Sequence, residues 1–298
     1  MVDPRPVCDY EGSNYQSEFW GKGGREYEDR AEQIALRAFL PKSGRWFLEL
    51  GAGAGRQTPL LAAFDHVLLL DYSRTQLQQA RTRLGDSGRY TYVAANVYQL
   101  PFAPGVFDGA MMVRVMHHLV DAPTALKEIR SIIAPGGTFV LEFANKQNWK
   151  AIFRYLLRKQ TWNPFSPEPV EFVKLNFDFH PRTMRQWLKE AGFTVEHQRT
   201  VSHYRLGLLK RLVPAGALAA ADGLVQPTGD WIQFAPSVFV KCSVAGKREM
   251  GEIKGIREIL RCPVCKRELI GDGDAVSCKI GHRWGIRDGV YDFKEQLL

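Results

Sequence analysis

Along its first 144 residues the chain alternates two patterns. Compact apolar runs are separated by longer stretches in which apolar residues recur every three or four positions. The runs RWFLEL, HVLLLD, YTYVAAN, FDGAMMVRV and TFVLEF, bounded by glycine or polar residues, predict five strands. Between them, Ile34, Leu36, Phe39 and Leu40 stand amid charges and predict an amphipathic helix. RQTPLLAAF predicts a second helix. SRTQLQQARTRLG predicts a third, capped by Ser73 and ended at Gly85. DAPTALKEIRSII predicts a fourth, opening at Asp121 and stopping at Pro135–Gly136–Gly137. Strands that alternate with helices imply a parallel, doubly wound α/β sheet covered on both faces.

The second half is less regular. NWKAIFRYLLRKQ is a basic amphipathic helix followed by a Pro- and aromatic-rich loop, TWNPFSPEPVEFV. HPRTMRQWLKEAGF predicts a helix and TVEHQRTV a strand. LGLLKRLVPAGALAAADGLV predicts helix broken at Pro214. WIQFAPSVFVKCSV predicts a last strand pair, or one strand kinked at Pro236. Residues 245–259 are polar enough for a linker or short helix.

Composition adds a class. A 45% hydrophobic, 24% charged chain of 298 residues can build an ordinary core, as one large domain or one plus a small one. No run approaches the roughly 18 apolar residues of a membrane helix. The N-terminus has no apolar stretch of the secretory kind, so a cytoplasmic protein is expected. Charge is uneven: residues 145–213 carry 13 basic against 5 acidic residues, which equals the whole net charge of +8. Such a segment suits a phosphate-bearing partner, or forms solvated helix faces.

The stretch FLELGAGAGR is the most informative. A strand runs into Gly51, Gly53 and Gly55, which let the backbone turn sharply and approach a ligand. The spacing departs from the dinucleotide fingerprint, because Arg56 takes its last glycine position, and the Lys-Ser/Thr of a P-loop is absent. The pattern is acid-x-Gly-x-Gly-x-Gly with Glu49 in front. ELGAGAG resembles motif I of class I S-adenosylmethionine-dependent methyltransferases. Asp71, ANVYQLPFAPGVFDGAMMVRVMHHL and LKEIRSIIAPGGTFVLEF resemble that family's later motifs in order. The resemblance covers residues 25–200 and is closest to the methyltransferase type 11, ubiquinone-methyltransferase-like group. It implies a Rossmann-like seven-stranded sheet and an enzyme that uses S-adenosylmethionine. It also implies that Gly51, Gly53 and Gly55 lie along the methionine end, Glu49 holds the ammonium, and Asp71 holds the ribose. Tyr72, Asn96 and Val97 would surround the adenine, with Arg114 near the methionine. Asn96 also suits a plain turn. Tyr27 either reaches this site from the N-terminal helix or packs in the core.

His117 and His118 follow the fourth strand, at the lip where substrates enter open α/β sheets. They are the candidate catalytic bases, against a reading in which one caps the loop and the other packs beneath it. Trp149, Phe153, Tyr155, Trp162, Phe165, Phe172, Phe177 and Phe179 crowd 145–180 and predict, with the N-terminal segment, an acceptor pocket or a plain lid core.

In the tail, Cys262-x-x-Cys265 and Cys278-x-x-x-His282 flank a predicted hairpin, ELIGDGDAVSC. Two ligand pairs brought together this way predict a closed, four-coordinate structural zinc site. Cys242 reads as a small buried side chain. The tail resembles a Trm-type zinc-ribbon module. The expected organisation is a methyltransferase domain over 1–246, with 145–180 and 200–230 as lid, and a zinc ribbon over 257–298 placed to steady the lid or present the acceptor. The expected function is methyl transfer to a small-molecule or lipid-like acceptor. The alternatives are an RNA methyltransferase that holds RNA through the ribbon and basic segment, and a non-catalytic cofactor-binding or partner module. No transmembrane segment is expected, and no oligomeric state is assigned.

Overall fold

A computed structural model describes residues 3–13, 16–21, 24–247, 253–271 and 273–297. Five strands, β1 (Gly44–Leu50), β2 (Phe64–Asp71), β3 (Tyr90–Ala94), β4 (Phe107–Met112) and β5 (Ile133–Ala144), pair in parallel in the order β3-β2-β1-β4-β5. Neighbouring residues point to opposite faces. Leu48 and Leu50 join one core cluster and Phe47 the other, so the apolar runs are buried on both sides. Helix α1 (Glu26–Phe39) and α2 (Arg74–Leu84) contribute Leu36 and Leu77 to one layer, and α3 (Ala122–Ile132) contributes Leu126 and Ile129 to the other. The predicted caps form: Ser73 accepts from Gln76 N at 3.2 Å, and Asp121 from Thr124 N at 3.1 Å.

Two predicted elements are shorter. RQTPLLAAF contains a single 3-10 turn, Thr58–Leu61, because Phe64 already pairs with Gly44 and leaves no length for a helix. WIQFA stays irregular, and the strand begins after Pro236, whose missing N–H interrupts a ladder.

After β5 come α4 (Trp149–Leu156), the hairpin β6 (Val170–Val173) and β7 (Asn176–Asp178), α5 (Pro181–Glu190) and β8 (Thr194–Val201). Then come α6 (Gly207–Leu212), α7 (Ala215–Val225) and β9 (Ser237–Ser243), which lies antiparallel between β5 and β8. With β6 and β7 apart as a two-stranded sheet, the seven strands β1–β5, β8 and β9 follow the expected arrangement.

The strand count is larger than seven. After α8 (Ile256–Ile259), the tail forms β10 (Leu269–Ile270), β11 (Ala275–Cys278), β12 (Arg283–Arg287) and β13 (Val290–Leu297). Strand β13 pairs in parallel with β3, Val290 opposite Tyr92 and Asp292 opposite Ala94, giving one eleven-stranded sheet. The reason is the edge: Tyr92, Val93 and Ala94 are buried, and an open apolar edge seeks a strand. Leu260, Cys262, Val276, Trp284 and Phe293 fall in the same core cluster as Leu48 and Phe102. The tail also bonds to residues 100–103, through Ala103 N to Ile259 O (2.7 Å) and Arg261 N to Pro101 O (2.8 Å). It therefore braces the β3 side of the sheet. Residues 145–180 and 200–230, expected as the lid, lie toward β5 and β8, away from the tail's contacts at β3.

Candidate active site

The loop after β1 is set by backbone need. Gly51, Gly53 and Gly55 all have positive φ (68°, 53° and 71°). A Cβ on Gly51 would meet Val115 Cγ2 at 1.9 Å, and one on Gly55 would meet Leu84 Cδ1 at 2.8 Å. At Gly53 the nearest atom is Gln76 Oε1 at 4.0 Å, so its bare backbone faces a cleft. Gly51 N and Ala52 N both donate to Leu70 O, at 2.7 and 3.0 Å, which fixes the loop on β2.

That cleft is lined by Glu49, Gly51, Gly53, Asp71, Tyr72, Asn96, Val97, Arg114 and His118. Gly55 stands behind the loop, against Leu84 and Thr58. His117 is not among the lining residues; it is half-buried, and its Nδ1 is buried and unpartnered among the described residues. Desolvation holds it well below the usual histidine range. Tyr27 is in the core, donating to Asp222 at 3.1 Å and accepting from Tyr204 N at 2.9 Å.

Glu49 ends β1 as a buried carboxylate. Thr58 Oγ1 donates to it at 2.6 Å, and it has no ion-pair partner among the described residues. Burial raises its pKa to about 7, against the opposing pull of Thr58 and Arg56. Asp71 accepts from Gly53 N (2.8 Å) and Ser73 N (2.9 Å), tying β2 to the glycine loop. Desolvation raises its pKa while those two N–H bonds oppose it. Asn96 Oδ1 accepts from Tyr98 N at 3.0 Å, the geometry of the turn reading, while the residue also lines the cleft. Arg114 holds a left-handed φ of 58°, and its N–H donates to Glu142 at 2.8 Å. Its side chain and that of Arg56 both clamp Glu32, with Arg114 Nε to Oε1 at 2.6 Å and Arg56 to Oε2 at 2.8 Å. Burial disfavours the Glu32 carboxylate, but the two guanidiniums outweigh it and lower its pKa.

His118 sits on the cleft wall. Nδ1 lies 2.9 Å from Leu175 O, so it carries the proton and donates, which leaves Nε2 as acceptor 3.3 Å from the Tyr10 hydroxyl. Desolvation lowers its pKa and Leu175 opposes that, keeping the ring neutral near pH 7.

The N-terminal segment was expected at the pocket, but the sequence singled out none of its wall residues. Pro6, Val7, Cys8, Tyr10 and Trp20 form a cover from the N-terminus. The cover is anchored at Glu11, which accepts from Arg74 N (2.8 Å), Thr75 Oγ1 (2.6 Å) and Lys294 Nζ (3.2 Å). Burial disfavours the charge, yet these donors bring the Glu11 pKa down to about 2. Lys294, on β13, also sits 5.1 Å from the centroid of the Tyr72 ring. The tail thereby reaches the cleft, through contacts more than two hundred residues apart that no local pattern announces. None of the aromatic residues of 145–180 lines the cleft. Trp149, Phe153, Phe165 and Phe172 are exposed, Tyr155 packs against Phe165, Phe177 and Phe179 pack at the core, and Trp162 is half-buried.

The second cluster lies in the tail. Ligand atoms of Cys262, Cys265, Cys278 and His282 all fall within 4.8 Å of one another. Cys262 Sγ and Cys278 Sγ are each 3.4 Å from His282 Nδ1, and Cys265 Sγ is 3.5 Å from Cys278 Sγ. A tetrahedron with Zn–S near 2.3 Å and Zn–N near 2.0 Å has edges of about 3.5–3.8 Å, so the four residues fit a zinc ion.

The doubly wound sheet opens its first crossover with a glycine loop, and the sequence matches set the class: the chain is an S-adenosylmethionine-dependent methyltransferase. Residues 48–141 match the methyltransferase domain family. The chain is 28% identical over 198 residues to the demethylmenaquinone methyltransferase of Clavibacter sepedonicus, covering 62% of this chain and 80% of that protein. It is 32% identical over 169 residues to the ubiquinone/menaquinone biosynthesis C-methyltransferase of Vibrio cholerae serotype O1, covering 51% of this chain but 65%, under two thirds, of that protein. Among solved structures, it shares its fold with a chain from the Haloferax volcanii complex that contains the Trm112 methyltransferase activator. That likeness has a TM-score of 0.56 and 16% identity, and covers 78% of this chain and 96% of the other.

Proposed function

We propose that the protein methylates a small-molecule, lipid-like acceptor. One observation carries the acceptor class. The two cations on the cleft wall, Arg56 and Arg114, are both engaged by Glu32, while none of the basic residues of 145–213 lines the cleft. Such a wall suits a weakly polar acceptor better than a polyphosphate chain, and the quinone methyltransferases named above have acceptors of that kind in their names. A cytoplasmic location accompanies this reading. Among the described residues no helix is long and apolar enough to cross a membrane.

The wall fits the cofactor. Glu49 is a buried carboxylate awaiting a cation, Gln76 Oε1 is a buried acceptor without a partner, and Gly53 offers open backbone. Glu49 would hold the ammonium, with Gly51 and Gly53 along the methionine and Arg114 beside it. Asp71 would take the ribose, and Tyr72, Asn96 and Val97 the adenine, with Gly55 and His117 supporting from behind. When bound, S-adenosylmethionine supplies a methyl group already activated on a sulfonium, so positioning and exclusion of water dominate. The N-terminal cover excludes water. His118 Nε2, shared with Tyr10, is placed to take the acceptor's proton. Zinc at Cys262, Cys265, Cys278 and His282 would be structural, since four ligands close its shell. The working division is a catalytic segment, 1–246, and a zinc-bound segment, 257–298.

The test is tritiated methyl transfer in a total extract. Label should enter the organic phase; label confined to RNA would replace this reading with the RNA one, and no transfer or cofactor binding would leave a non-catalytic module.

Glu49 also sets a pH dependence. The free protein keeps this proton up to about pH 7, whereas a bound ammonium favours the carboxylate and lowers its pKa. Binding therefore releases a proton below pH 7. Affinity for S-adenosylmethionine should rise with pH by up to about tenfold per unit, then level off above 7. Calorimetry across that range checks it, and Glu49→Gln should flatten the profile. A native profile flat from acid to neutral would remove Glu49 from the ammonium site.

A further inference from the structure

We infer that the carboxyl edge of the sheet is a docking face for the surface of an anionic lipid bilayer. The register gathers the relevant segments there. Met112 pairs with Leu141, and Ala144 and Val201 both pair with Ser237. The chain leaving β5, the chain leaving β8 and the chain entering β9 therefore all lie at the end of the sheet where the cofactor cleft opens.

The helix α4 turns the wrong way for a helix serving only the core. Its buried residues are the small Ala151 and the single Ile152. Trp149, Phe153, Leu156 and the following Leu157 face solvent, Leu156 with 65% of its surface exposed. The loop before β9 continues this surface. Trp149 N donates to Phe234 O at 2.9 Å and the two rings sit 4.5 Å apart, while neighbouring Trp231 is 79% exposed. On the same edge Leu206, Leu208 and Leu212 of the α6 segment are exposed, Leu212 by 72%. The β6–β7 hairpin presents Phe172 and Val173 outward, while its Leu175 carbonyl receives the His118 N–H. Apolar surface thus reaches the roof of the cleft.

Charge selects the occupant. Lys150 and Arg154 within α4, and Arg158 and Lys159 just beyond its end, are exposed beside these apolar residues and form no ion pair among the described residues. Cations beside bulky apolar groups on one face are what the interface of an anionic bilayer rewards: the side chains enter the headgroup boundary and the cations meet lipid phosphates. Nucleic acid would use the cations and stack on the rings, but gains nothing from five exposed leucines. A second copy would bring like charges together. Docking rests on this face alone. Entry of the acceptor from the bilayer rests in addition on the lipid-like reading above.

The test is sedimentation of the full chain with phosphatidylcholine vesicles, with and without phosphatidylglycerol, neither carrying any acceptor. Binding to the anionic vesicles should be at least about tenfold tighter, and should weaken with salt. Tryptophan emission should shift to shorter wavelength as Trp149 and Trp231 leave water. The triple variant Phe153→Ser, Leu156→Ser, Leu157→Ser should lose about tenfold or more in vesicle binding while keeping its melting temperature and cofactor affinity. The variant Lys150→Gln, Arg154→Gln, Arg158→Gln, Lys159→Gln should lose the preference for anionic lipid. Native protein that ignores both vesicle types overturns the inference, as does a triple variant that binds like the native. A patch that instead drives self-association or RNA binding in the vesicle-free control, abolished by the same triple variant, overturns it too. Because the vesicles hold no acceptor, failure here leaves the methyl-acceptor reading standing, and the converse also holds.

Discussion

Asp71→Ala is expected to abolish measurable binding of S-adenosylmethionine while leaving a folded protein. The carboxylate joins the end of β2 to the glycine loop through Gly53 N and Ser73 N. A carboxylate has about four acceptor sites, so two remain for ribose hydroxyls. Hydrogen bonds to a charged group are worth about 1.5–3 kcal/mol each, and losing two of them alone weakens binding by at least about 100-fold. Freeing Gly53 N also lets the loop leave the conformation that exposes its backbone to the cleft. Calorimetric titration reads the loss. Asp71→Asn should fall between, because its single carbonyl oxygen can keep one of the two N–H partners at full strength. Native-like affinity in Asp71→Ala would refute the ribose assignment.

Removing zinc is expected to melt the whole molecule rather than its tail. Cys262 and Cys278 belong to the cluster that also holds Leu48, Leu68 and Val93, and β13 closes the edge of β3. Structural zinc contributes roughly 10–16 kcal/mol in small zinc-dependent modules. Loss of even about 5 kcal/mol would lower the melting temperature by about 10–20 °C in a chain of this size. Chelation, or Cys265→Ser, should therefore produce one earlier transition and loss of cofactor binding together, since Lys294 and Asp292 would leave Glu11 and Arg74. Two separate melting steps, with cofactor affinity intact after the first, would show that the tail is independent. Freshly purified protein without zinc would exclude the metal.

The first five strands and the cleft's main wall were legible because both depend on local chemistry. Strand runs announce themselves by apolarity. Gly51 and Gly53 do so by positions that tolerate no side chain or need positive φ, and Ser73 and Asp121 by their caps. What escaped depends on distance. The N-terminal segment was expected at the pocket, but its wall residues have no periodicity, and its anchors are single contacts such as Glu11 with Lys294 or Tyr10 with His118. The pairing of β13 with β3 is a contest for a sheet edge that neither strand's own sequence decides. Pattern reading also overstated RQTPLLAAF, where tertiary geometry overruled helix propensity. The aromatic crowd of 145–180 was visible, but not that much of it faces outward, since composition does not distinguish a core from a surface patch.

Closure of the sheet edge also orders events during synthesis. Strand β3 leaves the ribosome about 200 residues before Val290, its eventual neighbour. At about 5–20 residues per second, that edge stays open for roughly 10–40 s in every nascent chain. During that time Tyr92 and Val93 face whatever else is present in the cell. Strand β13 is the one that ends this exposure, so protection of the cofactor domain's edge waits for a segment made long after the strand it covers.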